Sequence, residues 1–249
     1  MRRLLILVVL VAVLVGFVLL NNALADWHYV LTAEPNSLLY VATFDAFNED
    51  WAQYAGRLSS QVVDGALRLN VGEPVAGPYS VASPHFGDFD VRVKATAIEG
   101  PENNGFGIVF REQDPNNFYT FLISSDGYYR VVRSLNGEEK ELSTWIETPH
   151  VNRGIGAENS LRVVGRRDSF QFYVNDQLLS LCIPDDPNAR STWNFVNGTC
   201  VDGSMQDTLI DTNFPTGRLG VVATTIQGSV AGVVVDFDNV LVFGPEEAS

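Results

Sequence analysis

The chain has 249 residues, 46% of them hydrophobic, which is enough for one β domain with a full core. Thirty acidic against 16 basic residues give a formal net charge of −14, and such a surface repels phosphate backbones and anionic lipid, which argues against nucleic acid as a partner. Neutral or cationic ligands and divalent cations remain compatible with it.

Met1, Arg2 and Arg3 precede an apolar run over residues 4–20, and an Ala-Leu-Ala ending follows at 23–25. A basic start, an apolar middle and small residues at the end predict a secretory signal over residues 1–25, cleaved after Ala25. The run also approaches the roughly 20 residues that span a bilayer, so residues 4–20, left uncleaved, would anchor the protein in a membrane. Both readings place everything after Asp26 outside the cytoplasm, because the basic residues stay inside. Residues 26–39 show no sustained period and contain Pro35, which predicts a tether.

From Tyr40 the pattern changes. Residues 40–45 read as a short strand, Asp64 and Gly65 as a turn opening an alternating strand over 66–71, and residues 72–80, with two glycines and two prolines, as a loop. In the next strand Phe89, Val91, Val93 and Ala95 alternate with Asp90, Arg92, Lys94 and Thr96, giving one apolar and one polar face. Residues 103–133 hold three apolar-aromatic runs separated by Gln-Asp-Pro-Asn-Asn and Ser-Asp-Gly, an antiparallel meander. Pairing across its first turn sets Phe110 against Tyr119, Ile108 against Phe121 and Phe106 against Ile123 as a core face. At the second turn a two-residue loop sets Arg130 opposite Ile123. A three-residue loop sets Tyr129 there, which leaves Arg111, Thr120 and Arg130 on one solvent-facing surface, with Gly105 and Gly107 opening access to the backbone. Asn136 and Gly137 make a hairpin turn, Trp145 and Ile146 continue the sheet, and further strands follow at 161–165, 170–174, 217–223 and 232–242. The expectation is an all-β, two-sheet antiparallel sandwich over residues 40–246, preceded by one N-terminal apolar helix.

Several motifs carry a resemblance: Thr-Phe-Asp at 43–45, Asp-Gly-Ala-Leu-Arg-Leu at 64–69, Asn-Asn-Gly-Phe-Gly-Ile-Val-Phe-Arg at 103–111, Phe-Tyr-Val-Asn-Asp at 172–176, Gly-Arg-Leu-Gly-Val at 217–221 and Val-Asp-Phe-Asp-Asn-Val at 235–240. In this order they resemble the concanavalin A-like lectin/glucanase superfamily over residues 40–244, most similarly its bacterial laminin-G-like and 3-keto-disaccharide hydrolase-type domains. The resemblance implies a jelly-roll sandwich and a family that hosts lectins, glycosidases and adhesion modules, so function must come from the site. The superfamily usually passes by a short turn from Phe-Tyr-Val-Asn-Asp to the return strand, whereas this chain inserts about thirty residues, near 182–208, that hold both cysteines.

Cys182 and Cys200, a lone nearby pair outside the cytoplasm, are expected to form a disulfide. Trp193 inside the insertion is a candidate ligand contact, and Asn197, Gly198 and Thr199 spell a glycosylation sequon. If the first and last strands lie side by side, Asp45 approaches Asp236, Asp238 and Asn239, hard oxygen ligands suited to a structural calcium ion. The superfamily's catalytic strand, Glu-x-Asp-x-x-Glu, is absent. Glu139 and Glu141 would share a strand face but flank a hairpin turn, where solvated charges are the simpler reading. His28, His85 and His150 are scattered without metal-ligand spacing. The favoured function is an exported carbohydrate- or glycan-binding module using Arg111, Thr120, Arg130 and Trp193, with no catalytic residue. The alternatives are a glycoside-active enzyme of the 3-keto-glycoside hydrolase kind and a structural or adhesive cell-surface module.

Overall fold

Period-two alternation decides the architecture, because a strand with apolar residues at every second position can bury only one face. The computed structural model describes residues 10–19, 29–72, 79–225 and 232–246. Two compact units divide the chain, residues 1–30 and 31–249. In the first, residues 10–19 are helical, and no helix among the described residues is long and apolar enough to cross a membrane. The expected cleavage after Ala25 and most of the loop at 72–80 lie outside the described residues.

The second unit is built from β1 (Leu38–Ala42), β2 (Leu58–Val63), β3 (Ala66–Val71), β4 (Tyr79–Phe86), β5 (Phe89–Glu99), β6 (Gly105–Asp114), β7 (Asn117–Ser124), β8 (Tyr128–Leu135), β9 (Glu138–Glu147), β10 (Glu158–Arg166), β11 (Ser169–Val174), β12 (Leu181–Pro184), β13 (Gly203–Gln206), β14 (Gly217–Thr224) and β15 (Val233–Phe243), with a few two-residue ladders. They form the expected sandwich. The front sheet runs β4-β14-β6-β7-β8-β9 and the back sheet β11-β10-β5-β15-β3-β2, with β1 also on β15.

The meander has the expected register, Phe110 on Tyr119, Ile108 on Phe121 and Phe106 on Ile123. At its second turn the three-residue alternative holds: Ile123 faces Tyr129 and Leu122 faces Arg130. Gly127 supplies the left-handed residue that such a loop requires, with φ at 103°. The inner face so formed packs on Phe89, Phe170, Phe172 and Phe237 of the back sheet. Ring centroids lie 5.2 Å apart for Phe110 and Phe170 and 5.2 Å for Phe121 and Phe172. Each such ring, fully buried, contributes about 1.5–3 kcal/mol.

First and last strands are neighbours as expected, with Tyr40 on Val242 and Ala42 on Val240. The tether expected over 26–39 is shorter than its sequence suggests. Asn36 N donates to Gly244 O at 2.8 Å and Gly244 N to Ser37 O at 3.0 Å, which fastens this stretch to the sandwich.

The insertion is an ordered cover for the exposed edge of the front sheet. Within it β12 pairs with β13, Trp193–Asn194 pairs with Thr199–Cys200, and Cys182 and Cys200 form the expected disulfide with Cα atoms 5.3 Å apart. Ser191 N donates to Glu141 O at 3.1 Å, Arg190 Nη2 to Glu139 O at 2.7 Å and Cys182 N to Ser143 Oγ at 3.1 Å. An edge strand left open would template pairing with another chain, and these contacts occupy β9 instead. Cys200→Ser is expected to lower the free energy of unfolding by about 3 kcal/mol through the lost cross-link. Urea denaturation measures it, and an unchanged midpoint would assign the insertion's hold to β9 alone.

Candidate functional site

The sandwich has two outer faces, and they differ in how far their polar groups satisfy each other. On the back sheet the alternation of Phe89–Glu99 puts Asp90, Arg92 and Lys94 outward. Asp90 is buried among them and accepts from Arg92 Nη2 at 2.7 Å and Arg162 Nη2 at 2.7 Å. Arg92 lies over the Phe243 ring at 5.0 Å and Arg162 over Tyr173 at 4.8 Å, while Lys94 pairs with Glu158 at 2.8 Å. Burial works against the Asp90 carboxylate, but the two guanidinium forks outweigh it and hold the carboxyl below its ordinary range. This face is closed on itself.

The front sheet's outer face is different. Val81, Val109, Leu122 and Val222 form a second apolar cluster there, overlain by Tyr79, Phe118 and Trp145. Beside them is a hollow of about 120 Å³ lined by Tyr79, Phe118, Thr120, Arg130, Glu139 and Thr224. The Arg130 guanidinium stacks on Trp145 at 4.8 Å and reaches Glu141 at 3.4 Å, yet its Nε is buried without a hydrogen-bond partner. Across the face Arg218 forks onto Glu112 at 2.6 and 2.8 Å, and the Tyr79 hydroxyl donates to Glu112 at 3.2 Å. Burial, reinforced by the Glu112 charge, pushes the Tyr79 phenol well above its usual range, so it stays a donor. Aromatic faces, threonine hydroxyls and a guanidinium in one hollow can hold a ring that is apolar on its face and polar at its edge.

Thr120 and Arg130 are therefore brought together on this face. Arg111 is not. Strict alternation would place it beside Val109, but a bulge interrupts β6: the register shifts between Phe110 and Asp114, and Arg111 takes φ of 54°. Its side chain turns inward with no exposure, over the Phe89 and Phe170 rings at 5.2 and 5.8 Å, and donates to the carbonyls of Phe86, Pro215 and Arg167. Burial draws its pKa down to about 10, so it remains charged at neutral pH. Glu112 takes the outward position instead. The expected bare backbone at Gly105 and Gly107 is also covered: a Cβ at Gly105 would meet Thr224 Oγ1 at 3.0 Å and Trp145 at 3.4 Å, and one at Gly107 the Phe121 carbonyl at 2.0 Å.

Trp193 is half-buried against the core, opposite Cys200, and lines no part of this hollow. Its neighbour Phe195 is exposed, 6.5 Å from Tyr128. The calcium ligand set does not assemble. Asp236 is forked by Arg68 at 2.7 Å, Asp238 accepts from its neighbour Asn239 at 2.6 Å, and Asp45 accepts from Thr43 at 2.7 Å. Among the described residues no three acidic, His or Cys side chains gather as a metal site, so these side chains do not fit a calcium ion's six to eight oxygens.

Tyr79, Phe118 and Trp145 were not singled out as site residues by sequence. Phe118 could have been, since it shares the face of Thr120 at period two. Tyr79 and Trp145 could not, because only the strand order brings β4 and β9 to opposite sides of the meander.

No protein-family model and no curated protein matches the chain. Among solved structures, a Bacillus subtilis protein of unknown function with a galectin-like fold superposes with a TM-score of 0.56 at 12% identity, covering 85% of this chain and 97% of that one. A Bacillus licheniformis β-glucanase gives 0.52 at 11% identity, covering 85% and 99%. The GH43 BlXynB protein of Bacillus licheniformis gives 0.52 at 18% identity, with 82% of this chain matched to 39% of that one. At these identities the likeness establishes the fold. The finer kinship with laminin-G-like domains rests on the sequence motifs alone.

Proposed function

We propose that this concanavalin A-like lectin/glucanase sandwich is an exported module that binds a neutral glycan along the outer face of its front sheet. One observation carries the reading: Tyr79, Phe118 and Thr120 line a hollow together with the Arg130 guanidinium, which stacks on Trp145 beside it. Sugar rings offer apolar C–H faces to aromatics and hydroxyls to such a donor. The ligand is not an anion because the face's cations are already paired, Arg130 with Glu141 and Arg218 with Glu112, and Glu139 adds negative charge at the hollow. Likeness in fold to a β-glucanase supports a carbohydrate as the class. Export is supported by the leader and by the cystine, which persists in oxidising compartments.

A glycan array probed with residues 26–249 tests the proposal. Phe118→Ala and Trp145→Ala are each expected to weaken binding about tenfold, as for loss of one stacking face. A flat array sinks it.

The glycoside-active alternative has one observation in its favour, that Glu139 lines the hollow and Glu141 meets Arg130 beside it. It predicts turnover of a 3-keto-glycoside or β-glucan that Glu139→Gln abolishes. Mass spectrometry finding the ligand unchanged after prolonged incubation decides for binding.

A further inference from the structure

A second cleft lies away from the front face, where the insertion and the segment leading into β14 meet the inner side of β8 and β9. It encloses about 290 Å³, with aliphatic walls from Leu142, Ile183, Pro184, Pro187, Leu209 and Ile210 and a polar end made by Arg133, Lys140, Asp211 and Asn213. We propose that this cleft binds a small organic carboxylate with a hydrocarbon body, its carboxylate held by Lys140 and Arg133.

The polar end has an unbalanced donor inventory. Asp211 Oδ2 accepts from Arg133 Nη1 at 2.6 Å, while Oδ1 accepts from the Tyr119 hydroxyl at 2.5 Å and from Asn213 N at 3.0 Å and Nδ2 at 2.5 Å. Burial opposes the charge on Asp211, but these hydrogen bonds and Arg133 hold its carboxyl below the ordinary range, so it is an anion already engaged at both oxygens. Arg133 Nε is buried without a partner. Lys140 is its ladder neighbour across β8 and β9, and donates only to the Pro187 carbonyl of the insertion. Two cations and one carboxylate line this end of the cleft, and Asp186 acts on Lys140 from outside the lining. Burial and then the Arg133 charge draw the Lys140 ammonium down from its ordinary pKa, against the pull of Asp211 and Asp186.

A carboxylate supplies what is missing. Its two oxygens accept from the Arg133 guanidinium and Lys140 Nζ as charge-assisted hydrogen bonds, and its body displaces water from the aliphatic walls. Those walls carry no aromatic plate and, apart from Thr212, no hydroxyl, so they favour hydrocarbon over a polyhydroxylated ring.

The test is titration of ¹⁵N-labelled protein, residues 26–249, with cyclohexanecarboxylate, cyclohexylmethanol and D-glucuronate. Cyclohexanecarboxylate is expected to shift the amides of 183–187 and 209–213 saturably. Lys140→Met, which keeps the packed stem and removes the charge, is expected to weaken it about tenfold. Ile210→Glu, at an exposed position of the lip, should weaken it as well by repulsion, and its unchanged unfolding midpoint would show that the fold is intact. Equal or tighter binding of the alcohol or of glucuronate, no saturable shift, or binding that survives both substitutions overturns the proposal.

Discussion

Arg111→Ala is expected to lower the free energy of unfolding by about 3–5 kcal/mol, among the largest effects of any single substitution in this chain. The guanidinium is fully enclosed, and removing it strands the buried carbonyl of Phe86, frees the part-buried carbonyls of Pro215 and Arg167, and empties the space over Phe89 and Phe170. Each unsatisfied carbonyl costs about 1–3 kcal/mol, and the cavity adds to that. Arg111→Lys keeps the charge but cannot span three carbonyls with a planar fork, so it should recover only part of the loss. Urea unfolding at pH 7 measures both. Were Arg111 on the outer face, as alternation of β6 suggests, the alanine variant would lie within about 0.5 kcal/mol of the parent.

The second large effect is at Asp90. Asp90→Ala leaves Arg92 and Arg162 facing each other across β5 and β10 without their shared carboxylate, at an expected loss of about 2–3 kcal/mol. The estimate stays at the low end because both arginines reach solvent, at 41% and 24% side-chain exposure. The same site shapes the pH profile. Asp90 and Asp211 both have folded carboxyl pKa values below the unfolded value near 3.9, so their contribution is complete above that value and is lost as pH falls through the folded ones. Melting temperature should therefore be flat from pH 7 to about 5 and fall below about 4. Asp90→Asn should flatten that acid limb, and a limb unchanged in slope would contradict the assignment.

The sheets were legible because alternation is a local property. Phe106, Ile108 and Phe110 announce their face, and Phe121 and Ile123 the matching one, so even the meander register could be written before any coordinates. The site was legible only in part. Thr120 and Arg130 follow from alternation, but Arg111 departs from it at a bulge that no composition signal marks, since a left-handed arginine is rare. Trp145 joins the face through the pairing of β9 with β8, and Tyr79 through β14, which lies more than a hundred residues later in the chain. The sequence marks the insertion only by its length and its cysteines, yet it carries two short ladders and bonds to β9 through Cys182 N and Ser143 Oγ. The expected calcium ligands are not gathered into one acidic cluster among the described residues, although the Asp45 charge acts on Asp238. Adjacent first and last strands were correctly inferred, but the nearby cation Arg68 had already taken Asp236.

The central claim is that a glycan occupies the front face around Arg130. Labelled protein titrated with the neutral oligosaccharide that the array selects tests it most directly, by following the Arg130 Nε–H, the Trp145 indole N–H and the amides of 118–122. Saturable shifts confined to these groups, with Arg92 and Arg162 on the back face unmoved, are the predicted result. Shifts centred on the back face, or none at a saturating concentration, would contradict it.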